Sequence, residues 1–181
     1  MTDIGLDDDA GQDTLTPFPG FSFFVSFTTS PAAFGSLPGR VTGGFSEVTG
    51  LEATMEPKVI KEGGRNYGPV QRPGPVSFST VVLKRGVVRA RHLWAWWSMF
   101  AGSDDAKNGV WGPIARTNVD IILFAPVQSG TGVTPTPVLG WTLVNAMPVK
   151  FRAPDLNARG GEVAIEEIHL VHEGLNTAKV S

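Results

Sequence analysis

The residues best suited to chemistry stand near the C-terminal end, where GEVAIEEIHLVHEG carries Glu167, His169 and His172. Imidazoles beside a carboxylate could hold a divalent metal or make a general acid–base pair. Their spacing argues against the metal. On a strand, residues three apart point to opposite faces, so His169 and His172 do not share a ligand sphere. Glu167 and His169, two apart, do share a face, but one carboxylate and one imidazole are an incomplete centre. A structural or solvated pair is the plainer reading. His92 has no acidic neighbour within a turn.

Other reactive patterns break off before they are complete. Gly44-Phe45-Ser46-Glu47-Val48 starts like a nucleophile elbow but lacks the second glycine and the following helix. Gly63, Gly64 and Gly68 match neither a dinucleotide fingerprint nor a phosphate loop. Asp104 and Asp105 in GSDDAKNG lack the register of a calcium loop and read as a turn. Lys84, Arg85, Arg89 and Arg91 are the basic cluster. Without interleaved aromatics they suit an interface as well as a phosphate. No catalytic set, metal site or cofactor site is expected.

The elements that must position these residues are mostly strands. Phe21, Phe23, Val25 and Phe27 alternate with Ser22, Phe24 and Ser26, the period of two of a half-buried strand. Phe45–Leu51 and Thr54–Lys61 read as two extended segments or one long bent strand. Glu62–Pro75 reads as turns throughout. Val76–Leu83 reads as a further strand, followed by Val119–Phe124 and Val138–Val149, with Pro126–Pro137 a loop between those two. Glu162–His172 mixes polar and apolar residues on both faces, so either a bulge lies near Glu166 and Glu167 or both faces are partly covered. One segment has helical periodicity: Leu93, Trp96, Trp97 and Phe100 make an apolar stripe before Gly102, a packing stripe rather than a cofactor box.

Strands without strand–helix alternation exclude a doubly wound fold. They predict a mainly β domain, an antiparallel two-sheet sandwich or partly open barrel with one flanking helix. The chain of 181 residues fits one domain, 18–181, preceded by an acidic extension over 1–17. That extension has five aspartates and no Lys or Arg, so it is neither a secretory signal nor a membrane anchor. Synthesis in the cytoplasm without a signal peptide is expected. The formal charge of −2, from 15 Lys plus Arg against 17 Asp plus Glu, argues against a polyanion binder, and sequence-specific nucleic-acid or stable membrane binding is not expected. Absent cysteine excludes disulfides and thiolate metal sites.

Several of these stretches resemble the tail tube proteins of contractile-tailed phages and the inner tube proteins of contractile injection systems. The pieces are FSEVTGL (45–51), the KEGG…RPGPVSFSTVVLKRGV region (61–87), LWAWW (93–97) and MPVKFRAPDLNARGGEVAIEEIHLVHEGL (147–175). The resemblance implies a sandwich completed in a hexameric ring, with rings stacking into a hollow tube inside a contractile sheath. It implies as partners further copies of the chain, the sheath protein, a baseplate hub or tube initiator, and a terminator or cap. The particle would be a virion tail or a phage-tail-like device.

Within that frame the period-two polar row Glu52, Thr54, Glu56 and Lys58 is a candidate for the lumen wall, or else an ordinary solvent-facing edge. Glu62, Arg65, Tyr67, Arg72, Arg89, Arg91, Glu167 and His169 are candidates for contacts between subunits or rings. The acidic extension and the arginines before the helix depart from the family pattern, and Arg89 and Arg91 are placed to meet an acidic surface. A baseplate-end initiator of the same fold and an unrelated carbohydrate-binding sandwich are the alternative readings. The former predicts a low copy number, the latter a groove with exposed tryptophan.

Overall fold

The computed structural model describes residues 22–27, 41–61, 63–64, 66–88, 91–102, 116–129, 132–156 and 163–179. The acidic extension, Glu62, Arg65 and Arg89 therefore lie outside the described residues. Among the described residues the chain is mainly β, with one helix.

The strands are β1 (Phe23–Phe27), β2 (Val41–Gly43), β3 (Glu47–Thr49), β4 (Ala53–Met55), β5 (Lys58–Ile60), β6 (Val70–Arg72), β7 (Val76–Phe78) and β8 (Val81–Gly86). After the helix α1 (His92–Ala101) come β9 (Thr117–Ser129), β10 (Gly132–Arg152), β11 (Ile165–Val171) and β12 (Gly174–Lys179). The main sheet runs β2-β1-β9-β10-β11-β8-β3, with β12 also on β10, and all its pairings are antiparallel.

The 21-residue β10 is the spine that lets this sheet curl. Its first part lies between β9 and β12, and its last part, Met147–Arg152, pairs with β11. The change of neighbour falls at Asn145, whose φ of 51° is left-handed, a conformation Asn tolerates better than most residues. Four polar side chains pin that corner. The Asn145 backbone N–H donates to Asn118 Oδ1 at 3.0 Å, and Asn145 Nδ2 donates to Glu173 Oε2 at 3.0 Å. Arg116 pairs with the other oxygen of Glu173. The amide of Asn145 and the charge of Arg116 hold the Glu173 carboxyl below its ordinary range.

The core sits inside the curl. Val81, Leu83 and Arg85 alternate inward along β8, and Ile168 and Leu170 do so along β11. They meet Val25, Phe27, Val119, Ile121 and Leu143 from the other half of the sheet. Helix α1 adds Leu93 and Trp96, both essentially fully buried, with Phe100 packed against the cluster. Trp96 stands edge-on to Phe27 at 5.4 Å between ring centroids, a favoured aromatic geometry. Each such fully buried side chain contributes about 1.5–3 kcal/mol of transfer free energy. Trp97 is half-buried, stacked at a tilt on Trp94. The helix ends at Gly102, left-handed at φ 68°, whose N–H bonds Ser98 O at 3.0 Å.

Two sequence expectations change. Pro126–Pro137 is not a loop, because β9 and β10 continue through it as a hairpin with Pro126 opposite Pro135. Composition misleads there, since proline is tolerated at strand positions that donate no ladder hydrogen bond. Glu62–Pro75 is not turn throughout, because Val70–Arg72 pairs with β5. Of the two alternatives for Glu162–His172, partial cover on both faces is the one seen along β11, with Glu166, Ile168 and Leu170 buried and Glu167, His169 and Val171 half-buried, while a register shift lies across the ladder between Pro148 and Lys150 of β10. Glu166 itself is buried on the core side, where it accepts from Arg85 Nε at 2.5 Å.

Candidate assembly surface

The largest structural oddity is a ribbon arm. The pairs Glu47–Lys84 and Thr49–Val82 belong to the main sheet, but the same two segments run on as Ala53–Phe78, Met55–Val76, Lys58–Arg72 and Ile60–Val70. Beyond Thr49 the ribbon leaves the sheet, and among the described residues it keeps only its own two strands. Gly50, at φ 85°, makes the exit, and a Cβ there would lie 2.2 Å from Thr80 O. Gly74 permits the other close approach, with its hypothetical Cβ 2.0 Å from Glu56 O.

Two-stranded ribbons are marginal alone, and this one is exposed along both faces of β4. One face is apolar: Met55 and Val76 stand opposite each other and both are half-exposed, while Phe78 tilts against His172 at 5.1 Å. The other is polar. Glu52 accepts from Thr54 Oγ1 at 3.4 Å and from Ser79 Oγ at 3.2 Å, and Ser77 Oγ donates to Thr54 O at 3.4 Å. Glu52 and Thr54 are thus brought together. Glu56 follows on the same strand run, its N–H bonded to Pro75 O at 3.2 Å. Lys58 faces Arg72, so the tip carries two opposed cations, and Tyr67 at the turn is fully exposed.

A second polar surface covers the β3-β8-β11-β10 side of the sheet, turned away from the core. Glu47 stands opposite Lys84, Lys84 opposite Glu167, and Glu167 opposite Arg152. Charges therefore alternate across four strands. Lys84 Nζ bonds Glu47 at 2.9 Å, and His169 Nε2 bonds the Glu167 carboxylate. The His169 hydrogen bond first, then the charges of His169, Lys150 and Lys84, hold the Glu167 carboxyl below its ordinary range. His172 is engaged elsewhere, its Nδ1 donating to Gly174 O at 2.8 Å. Among the described residues no three His, Asp or Glu side chains converge on a metal position.

The third feature is open backbone. Among the described residues, β12 pairs only with β10, and Met147–Arg152 of β10 pairs only with β11. Among the described residues both therefore leave their far side without a strand partner, the kind of edge that templates pairing with another chain. Arg91 is the N-cap of α1, makes no side-chain cap bond and is exposed. The buried Arg85–Glu166 pair and the Asn145–Glu173 corner had no signal in the sequence, because their members are far apart along the chain.

Comparison with known proteins bears on this surface. No match is found among curated proteins. A chain of the six-fold symmetrised baseplate of the anti-feeding prophage is 26% identical, with a TM-score of 0.64, over 90% of this chain and 96% of that one. A chain of the PVC sheath–tube complex, an extracellular contractile injection system in its extended state, is 20% identical over 92% of this chain and 95% of its own, with a TM-score of 0.67. A chain of the anti-feeding prophage tube-terminating cap is 20% identical over 99% of this chain and 100% of its own, with a TM-score of 0.64. The two likenesses at 20% establish a shared fold. The family model described as T4-like virus tail tube protein gp19 matches residues 19–176. Since that span is most of the sequence, the chain belongs to the T4-like virus tail tube protein family.

Proposed function

We propose that this chain is a structural inner-tube subunit, closing into hexameric rings that stack into a conduit inside a contractile sheath. The observation that carries this reading is the family match over residues 19–176. The arm and the free edges give it a physical basis. A ribbon with an apolar face and no sheet of its own gains stability by lying on a neighbour. Free edges at β12 and Met147–Arg152 gain their missing hydrogen bonds from sister strands. Closing the ring removes the edges altogether.

The lumen wall would combine the polar face of the arm (Glu52, Thr54, Glu56 and Lys58) with the charge-alternating face of β3, β8, β11 and β10. Both surfaces are polar. On the sheet face each charge is matched by its neighbour, so a passing polymer meets little net field. Tyr67 and Arg72 at the arm tip, with the neighbouring Glu62 and Arg65 of the sequence, would meet the next subunit or ring. Glu167 and His169 satisfy one another and fit the wall better than a contact. The function is mechanical, and no catalytic step is assigned to the chain. Its partners would be its own copies, the sheath, the baseplate hub and a terminating cap.

A second reading, a tube initiator at the baseplate end, draws on the 26% identity to a baseplate chain against 20% for the sheath–tube chain. Electron microscopy of purified particles tests both. Many stacked six-fold rings of this chain support the first, one ring at the baseplate supports the second, and a monomer with both edges covered internally overturns both.

A further inference from the structure

Beside the start of α1 lies a groove of about 550 Å³ whose lining includes Val87, Val88, Arg91, Trp94, Phe151 and Glu166. Three bulky apolar side chains stand open along it: Val87 is 48% exposed, Val88 50% and Trp94 40%. Trp94 stands edge-on to Phe151 at 5.4 Å between centroids, which fixes the wall's shape. Glu166 brings no net charge, because Arg85 pairs with it at 2.5 Å. Exposed Arg91 therefore sets the sign of the groove. Its complement is a segment with bulky apolar side chains flanked by carboxylates.

One segment of this chain has that chemistry. MTDIGLDDDAGQDTLTP places Ile4 and Leu6 among Asp3, Asp7, Asp8, Asp9 and Asp13, with no basic residue. It lies before residue 19, where the family match begins, so the tube fold itself does not account for it. We propose that the acidic extension of one copy seats in this groove on a copy in the adjacent ring, with Ile4 and Leu6 against Trp94 and Phe151 and the aspartates toward Arg91. The proposal rests on the tube reading.

Strand direction fits docking on the adjacent ring. Phe23 of β1 is level with Leu123, and Leu123 with Leu139 of β10. Phe151 lies farther along the same strand, a path of up to about 40 Å at the usual rise. Ser22, just before β1, thus lies toward the end of the sheet opposite the groove. Head-to-tail stacking, the arrangement that builds open-ended tubes, brings those opposite ends of successive copies together. Fully extended, the residues before Ser22 reach about 70 Å, ample for the span between rings.

The natural absence of cysteine makes cross-linking unambiguous. Full-length chain carrying Leu6→Cys and, at a half-exposed position, Val88→Cys is assembled, oxidised mildly and run on a non-reducing gel. Ile4→Cys with Val87→Cys is a second pair. Covalent multimers are expected, reduced about fivefold by Arg91→Glu and recovered when Asp7, Asp8 and Asp9 are also changed to Lys. Any of three results overturns the proposal: equal cross-linking of Leu6→Cys to a control Val59→Cys on the arm, closure within single chains, or indifference to Arg91→Glu. In whole particles, a sheath segment captured at Val88→Cys in place of the extension also overturns it. Microscopy of the same samples separates the two levels. Tubes without the cross-link defeat this docking alone, whereas folded chain that never forms tubes defeats the tube reading and the docking with it.

Discussion

Lys58 and Arg72 stand directly opposite one another on the ribbon arm, two cations in one cross-strand pair. Like charges so placed cost about 0.2–1 kcal/mol, and a ribbon with no third strand has little stability to spare. The pair makes sense where the lumen wall meets the next copy at the arm tip, if that copy supplies an anion to Arg72. Lys58→Glu should therefore split two properties. In the isolated subunit the arm becomes firmer, seen as slower amide hydrogen exchange at Ile60 and Val70. In assembly conditions tube formation weakens. Exchange that is unchanged, together with normal tubes, would show the pair to be idle.

The Arg85–Glu166 pair is the opposite case, made and kept inside, with side chains only 7% and 12% exposed. Removing one member leaves a desolvated charge. Glu166→Gln or Arg85→Met alone should lower folding stability by about 3–5 kcal/mol. Replacing both with apolar residues, Arg85→Met with Glu166→Leu, should cost much less than the sum. Denaturant unfolding of the four proteins forms a double-mutant cycle that reads the coupling directly. A small effect of either single change would mean that water reaches the site.

That pair also marks the limit of what the sequence could reveal. The strand class, the helix at Leu93–Phe100 and the shared face of Glu167 and His169 follow from periods of two and 3.6, which are local. The family motifs supplied ring and tube. What stayed hidden depends on pairs distant along the chain. Arg85 looked like part of a basic cluster because its partner is on β11. Pro126–Pro137 looked like a loop because composition does not show that proline is tolerated at strand positions that donate no ladder hydrogen bond. The arm showed its polar row, Glu52, Thr54 and Glu56, but its apolar face appears only when Met55 is set opposite Val76 across the ribbon.

Glu167 carries the clearest pH signature on the charge-alternating face. Its folded-state pKa is depressed, by the His169 hydrogen bond first and by the nearby cations. A depressed carboxyl contributes stability that is present above the unfolded value, about 4.3, and is lost as pH falls through the folded value below it. Glu167→Gln should thus be less stable than the parent at neutral pH and should converge on it in acid. Thermal unfolding from pH 7 down to pH 3 measures this. A gap that stays constant across the range would remove Glu167 as the titrating group.

Gly74 offers the sharpest separation of folding from assembly. An added Cβ would lie 2.0 Å from Glu56 O, a backbone atom that cannot swing aside. Gly74→Ala must therefore push the two strands of the arm apart between Met55–Val76 and Lys58–Arg72. None of the core residues around Trp96 touches that point, because the arm has already left the sheet at Gly50. The core should unfold at nearly its normal temperature, while rings and tubes fail to form. Gly50→Ala is the contrasting variant. It strains a φ of 85° and drives a Cβ to 2.2 Å from Thr80 O, beside buried Val81, so it should cost about 1–3 kcal/mol of folding stability as well. Calorimetry and negative-stain microscopy of both proteins settle the matter. If Gly74→Ala still assembles, the arm is decoration and the subunits are held by their sheet edges alone.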